Sequence, residues 1–268
     1  MHFAHANGYP PDAYKLLLDD LSQEFRILAM EMRPLWNNAD PMSISDWVPF
    51  STDLAQFLDD HQLTGVVGIG HSMGATTTLR LALKQPDRFK ALVLIDPVLF
   101  PTWMIVLWDL IFHSGLVYRF HPLARITLHR RRVFENVQEM FEQYRRKNIF
   151  RQMSDESLSA YVNALSCPST NGQVTLRYSP EWEARIYVTG LRADMEIWRN
   201  LTTLKPPVLL MRGEHTDTFW ESTGHAFKHK LPQAILITIP DATHLLPLEY
   251  PQITSRHICQ FLNQLGIF

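Results

Sequence analysis

Apolar positions along the chain follow two periods. Short, nearly continuous apolar runs occur at 2–6 (HFAHA), 25–31 (FRILAME), 65–70 (GVVGIG), 91–96 (ALVLID), 207–213 (PVLLMRG) and 234–239 (AILITI). Runs of this length without polar alternation suit strands covered on both faces. Between them lie PDAYKLLLDDLSQEF, ISDWVPFSTDLAQFLDDH, MGATTTLRLALKQP, FWESTGHAFKHKL and LEYPQITSRHICQFLNQL. These segments space their apolar residues by three and four, as an amphipathic helix requires. Strands alternating with helices predict an α/β fold with a mostly parallel, doubly wound sheet. The alternation stops once. From Pro97 to about Leu204 no sheet-forming run stands out, whereas RRVFENVQEMFEQYRRKN and SDESLSAYVNAL read as helices. A gap that long is not a plain loop. It predicts a helical insertion at 98–204 over the carboxyl edge of a core made from 1–97 and 205–268.

Composition narrows the class without naming a chemistry. Of 268 residues 46% are hydrophobic and 19% charged, with a formal net charge of −2, which disfavours disorder and nucleic-acid binding. Cys167 and Cys259 are the only cysteines, too few for a disulfide framework, although they could form one bridge. So few cysteines fit a reducing compartment, and with no basic and apolar leader at the start the chain reads as cytoplasmic. The most apolar segment, 102–118, is interrupted by Asp109 and His113 and falls short of a membrane span, so it reads as a buried or lid helix. Its aromatics Trp103, Trp108, Phe112 and Tyr118 are expected on the buried face. Lysines and arginines number 13 against 10 acids over residues 100–200, with a cluster at Arg130, Arg131 and Arg132 that reads as a solvated helix face.

The chemistry enters with GHSMG at 70–74. A residue at a tight strand-to-helix turn needs small neighbours, and Gly70 and Gly74 supply them. Ser72 Oγ would then stand clear, with helix-start N–H groups beside it. The motif alone is modest evidence; its place between a β-branched strand and a helix adds weight. Together with HANGYP (5–10), RGEHTD (212–217) and DATHLLPLEYP (241–251), it makes the sequence resemble the α/β-hydrolase superfamily over nearly its whole length. The resemblance implies a serine, acid, histidine order along the chain.

By that resemblance Ser72 is the nucleophile and His244, in the loop after the last strand, the base. Asp217, four residues beyond Gly213, is the preferred acid, with Asp96 and Glu214 as competitors. The oxyanion would meet the N–H of Met73 and a second donor from the 5–10 loop. Asn7 is favoured if His5-Ala6 replaces the commoner His-Gly, and Tyr9 if Gly8-Tyr9-Pro10 is the matching part. His71, Tyr9 and Trp103 are candidate pocket residues, and His5 a loop-ordering one. His225 and His229 at i, i+4, with His215 nearby, could suggest zinc, but a solvated helix face suits them better. No metal or organic cofactor is implied.

Relatives in that superfamily carry two further strands ahead of the HANGYP-type loop. Without them the 25–31 run lies near a sheet edge. Either it is covered locally, or it pairs with a second copy as a homodimer, or further residues precede the chain. The leading functional expectation is a serine hydrolase acting through an acyl-enzyme on a small-molecule apolar acyl ester, thioester or lactone. Serine at the nucleophile position argues against the haloalkane dehalogenases and epoxide hydrolases, which use aspartate there. A ligand-binding or receptor protein on the same fold, and a cofactor-independent lyase, are the alternatives.

Overall fold

The computed structural model describes residues 1–169 and 172–267. Among the described residues nine strands follow one another: β1 (His2–Ala4), β2 (Leu28–Met30), β3 (Val66–His71), β4 (Phe89–Ile95), β5 (Val133–Phe134), β6 (Ser166–Pro168), β7 (Val174–Leu176), β8 (Val208–Gly213) and β9 (Ile235–Ile239). Six of them form one parallel sheet in the order β2-β1-β3-β4-β8-β9, each at one of the apolar runs. The innermost strands are the most apolar because helices cover both faces: every residue of β3 and of β8 is buried. The two edge strands carry partly exposed residues instead, and β2 pairs with β1 alone among the described strands.

Register fixes where chemistry can occur. Gly70 of β3 lies opposite Leu94 of β4, and Ile95 of β4 opposite Met211 of β8, so the carboxyl ends of these three strands open into one crevice. The helix Met73–Lys84 leaves that crevice directly after β3 and is buried over Met73–Ala82.

The chain between β4 and β8 is mainly helical, with helices at Thr102–His113, Pro122–Leu128, Val137–Arg145, Asp155–Leu165 and Pro180–Thr189 among others. It also holds a small antiparallel sheet in the order β5-β7-β6, where the sequence pattern had predicted helix alone. These strands are two or three residues long, too short for a period of two to register. β5 moreover lies within the stretch RRVFENVQEMFEQYRRKN, whose helix begins only at Val137. The last helix of the segment, Asp194–Asn200, returns the chain toward the start of β8 and packs on Met73–Lys84. There Arg80 and Asp194, both almost fully buried, form an ion pair at 2.6 Å. Trp47 of the core donates its indole N–H to the Ile186 carbonyl of the insertion at 3.1 Å. Cys167 and Cys259 are both free thiols.

Candidate functional site

The site is built around the turn after β3. Ser72 takes φ 56° and ψ −121°, a left-handed backbone that an L residue adopts only under local constraint. Its N–H is held by the Ile95 carbonyl of β4 at 2.9 Å. The flanking glycines are sterically required: a Cβ on Gly74 would stand 2.1 Å from the Ala4 carbonyl oxygen, and one on Gly70 would stand 2.5 Å from the backbone of Gly74. The turn therefore closes against β1 and the start of its own helix, lifting the serine side chain into the crevice.

Ser72 Oγ lies 2.9 Å from His244 Nε2, and His244 Nδ1 lies 2.9 Å from Asp96 Oδ1. The partner of the imidazole is thus Asp96, at the end of β4, and not Asp217 as the sequence had suggested. Asp96 is fully buried and has φ 43°. Its carboxylate also accepts the Gly213 N–H at 2.9 Å and the Thr216 hydroxyl at 2.7 Å, while its own N–H donates to the Met211 carbonyl. Asp217 points elsewhere: its carboxylate accepts from the Thr218 hydroxyl and lines the cavity wall. Glu214, the other competitor, accepts the Asp241 N–H on the surface. In the loop 213–217 the side chain that reaches Asp96 is the hydroxyl of Thr216, one residue before Asp217.

A second row of side chains supports the first. His71 is fully buried and does not line the cavity, contrary to its candidacy as a pocket residue. Its Nε2–H donates to the His244 carbonyl at 2.8 Å, and its Nδ1 accepts from the Tyr14 hydroxyl at 2.7 Å. Tyr14 in turn accepts the Ala6 N–H at 3.1 Å, so one chain of bonds ties the 5–10 loop to the backbone of His244. Glu249, partly desolvated and with its carboxyl pushed up by burial, accepts from both the N–H and the hydroxyl of Thr243 and braces the same loop. Neither Tyr14 nor Glu249 is singled out by the sequence; each lies in a segment whose apolar spacing suggests packing alone.

The N–H groups of Met73 and Asn7 have no protein acceptor among the described residues, whereas that of Tyr9 donates to the Ala6 carbonyl at 3.2 Å. This leaves Asn7 as the freer of the two loop donors. The Asn7 side chain is fixed from the insertion, donating to the Glu183 carbonyl at 3.1 Å and accepting from the Tyr178 hydroxyl at 3.0 Å. His5 holds the loop from the other side by accepting the Met32 N–H at 3.1 Å.

Three histidines around this framework are buried neutral. Burial lowers His2 to about 3 and His5 to about 4, and it holds His71 well below the ordinary imidazole range. In the unfolded chain each titrates near 6.5. Between that value and their folded values the unfolded state binds protons that the folded state does not, so stability present above pH 6.5 is lost as pH falls. The thermal midpoint should drop between pH 7 and pH 5, with each histidine contributing up to about 2 kcal/mol. Thermal unfolding followed by circular dichroism measures this, and a flat profile would contradict neutral burial.

A cavity of about 610 Å³ opens over Ser72 and His244. Its walls are mostly apolar, with Ala6, Trp47 and Leu245 from either side of the segment 98–204 and Val98, Phe100, Leu123, Ile149 and Ile186 from within it. Tyr9 lines it as expected and stacks on Tyr161. Trp103 does not: it is 61% exposed and lies outside the lining. Helical phase explains this, because Ile105 and Trp108 take the inward face of that helix. Of the arginine cluster, Arg130 turns inward to pair with the buried Glu183, while Arg131 and Arg132 pair with Glu139 and Glu181. His225 and His229 are exposed on the helix Glu221–Lys230. His215 groups instead with Glu214 and Asp241, all three exposed.

A strained serine after a buried strand, a histidine from the loop after the last strand and a carboxylate at a strand end form a hydrolase-type constellation on a doubly wound sheet. The sequence model of the alpha/beta hydrolase family matches residues 3–256, and the chain belongs to that family. Among curated proteins it is similar to the uncharacterized hydrolase YugF of Bacillus subtilis, 21% identical over 255 residues covering 94% of this chain and 85% of the relative. It is also similar to a soluble epoxide hydrolase of a Corynebacterium species, 24% identical over 273 residues covering 97% and 89%. Among solved structures, E-2-(acetamidomethylene)succinate hydrolase superposes with a TM-score of 0.77 at 20% identity, covering 98% of this chain and 91% of the other. Identities this low describe a shared fold and leave substrate choice to the site itself. No helix among the described residues is long and apolar enough to cross a membrane.

Proposed function

We propose that the chain is a serine hydrolase that cleaves carboxylic esters or thioesters through an acyl-enzyme. The observation that carries this reading is the continuous row Ser72 Oγ, His244 Nε2, His244 Nδ1, Asp96 Oδ1, with 2.9 Å at each junction. A serine hydroxyl is a weak nucleophile at neutral pH. In this reading His244 takes its proton as Oγ attacks the carbonyl carbon, and Asp96 holds the imidazole in the tautomer that can accept it. The oxyanion of the tetrahedral intermediate lies against the N–H groups of Met73 and Asn7. His244 then gives the proton to the leaving alcohol or thiol, and a water activated by the same imidazole releases the acid. The residues between β4 and β8 act as a cap whose apolar wall takes the acyl chain, a volume of about 610 Å³ being suited to a small or medium group.

A fluorophosphonate tests the reading directly. It should modify the protein stoichiometrically at Ser72, and Ser72→Ala should not react; labelling of other residues, or inert protein that still binds ligands, would favour the binding-protein alternative. A panel of p-nitrophenyl esters, acyl thioesters and lactones then ranks the substrate classes.

A further inference from the structure

The helix Thr102–His113 is apolar on both of its faces. Ile105 is buried and Trp108 and Phe112 are packed inward, yet Trp103, Val106, Leu107 and Leu110 are exposed, the last to 66%. Those four recur at i, i+3, i+4 and i+7, a complete second stripe left exposed by the described residues. Phe120, Leu123 and Ile126, on the stretch that follows, are exposed as well, the last to 68%. Leu123 also lines the cavity over Ser72.

The same segment is basic. Residues 101–151 hold nine lysines and arginines against four acids. Four of those arginines are ion-paired, but Arg119, Arg125, Arg146, Lys147 and Arg151 are exposed and have no carboxylate partner among the described residues. Arg125 and Lys147 share with Ile126 the lining of a second hollow of about 590 Å³. Apolar side chains thus stand beside unneutralised cations on one segment.

We propose that this face of the insertion docks on an anionic lipid bilayer surface, with the apolar stripe among the acyl chains and the arginines and lysine at the headgroups. Length excludes a span: twelve residues rise only about 18 Å, against a hydrocarbon core of about 30 Å. A short helix of this kind lies along the interface instead. A second copy of the chain would also cover the stripe, but a two-fold pairing sets each patch against its own equivalent and brings the unpaired cations together. An anionic surface satisfies both the apolar stripe and the charge. The proposal stands independently of the reaction at Ser72.

Vesicle flotation tests it. The wild-type chain should float with vesicles of phosphatidylcholine mixed with phosphatidylglycerol, and about tenfold less with phosphatidylcholine alone or at high salt. Leu107→Glu/Leu110→Glu should lose flotation by at least about tenfold while its thermal midpoint stays near that of the wild type, because both side chains are exposed. A second measurement needs no disruptive change: brominated lipids should quench a component of tryptophan fluorescence that is missing in Trp103→Phe. Failure of the wild type to float, flotation undiminished in the double variant, or an absence of Trp103 quenching would each overturn the proposal. So would a wild-type dimer in sedimentation velocity that Leu107→Glu/Leu110→Glu dissociates, since the face would then belong to a second copy.

Discussion

Ser72→Ala and His244→Ala should each lower kcat/KM for an activated ester on the order of a million-fold, and the double variant should be no worse than either single one. The reason is geometric. In the proposed mechanism proton and nucleophile move together across the 2.9 Å between Oγ and Nε2, so removing either end removes the whole step. What would survive in that mechanism is the contribution of the amides at Met73 and Asn7, worth about 3 kcal/mol per donor in comparable sites. Steady-state kinetics of the three variants, with circular dichroism as a check on folding, measures it. Losses that multiply in the double variant would mean that the two residues act separately.

Asp96→Asn should cost about ten-thousand-fold in kcat/KM, whereas Asp217→Asn should stay within about a factor of three of wild type. An asparagine amide facing His244 Nδ1 would favour the tautomer that carries its hydrogen on Nε2, where a free lone pair is needed. The other bonds to Asp96, from Gly213 and Thr216, would hold the substituted side chain in place, so the loss should fall on kcat more than on the fold. Asp217 touches neither the imidazole nor the serine and shapes only the wall of the cavity. Kinetics of both variants on one ester, with their unfolding midpoints, decides the matter. A crippling Asp217→Asn beside an active Asp96→Asn would return the acid to the loop after β8.

Much of the sheet was legible because buried strands announce themselves. Apolar runs such as GVVGIG and PVLLMRG lie between helices with clear three- and four-residue spacing, and each of the six runs holds a strand of the central sheet. The turn at Ser72 was legible because close packing at Gly70 and Gly74 leaves a sequence trace. The acid was not. Asp96 and Asp217 both follow strands, and only the register of β4 beside β8 decides which carboxylate stands under the imidazole. Nor could the pattern reveal β5, β6 and β7, which are held by their neighbours rather than by their own alternation. Trp103 misled for a related reason. A helix with apolar residues on two sides gives no phase from sequence alone, and the core accepted the side that carries Ile105 and Trp108.

The tether at Asn7 has a mechanical meaning. Its side chain is gripped by Glu183 and Tyr178, both belonging to the roof, while its backbone belongs to the floor. Raising the roof to admit a bulky molecule would let go of that grip and free the loop to turn its amide aside. If the Asn7 amide serves the oxyanion as proposed, entry and readiness would then be interlocked, like a door whose latch completes the circuit.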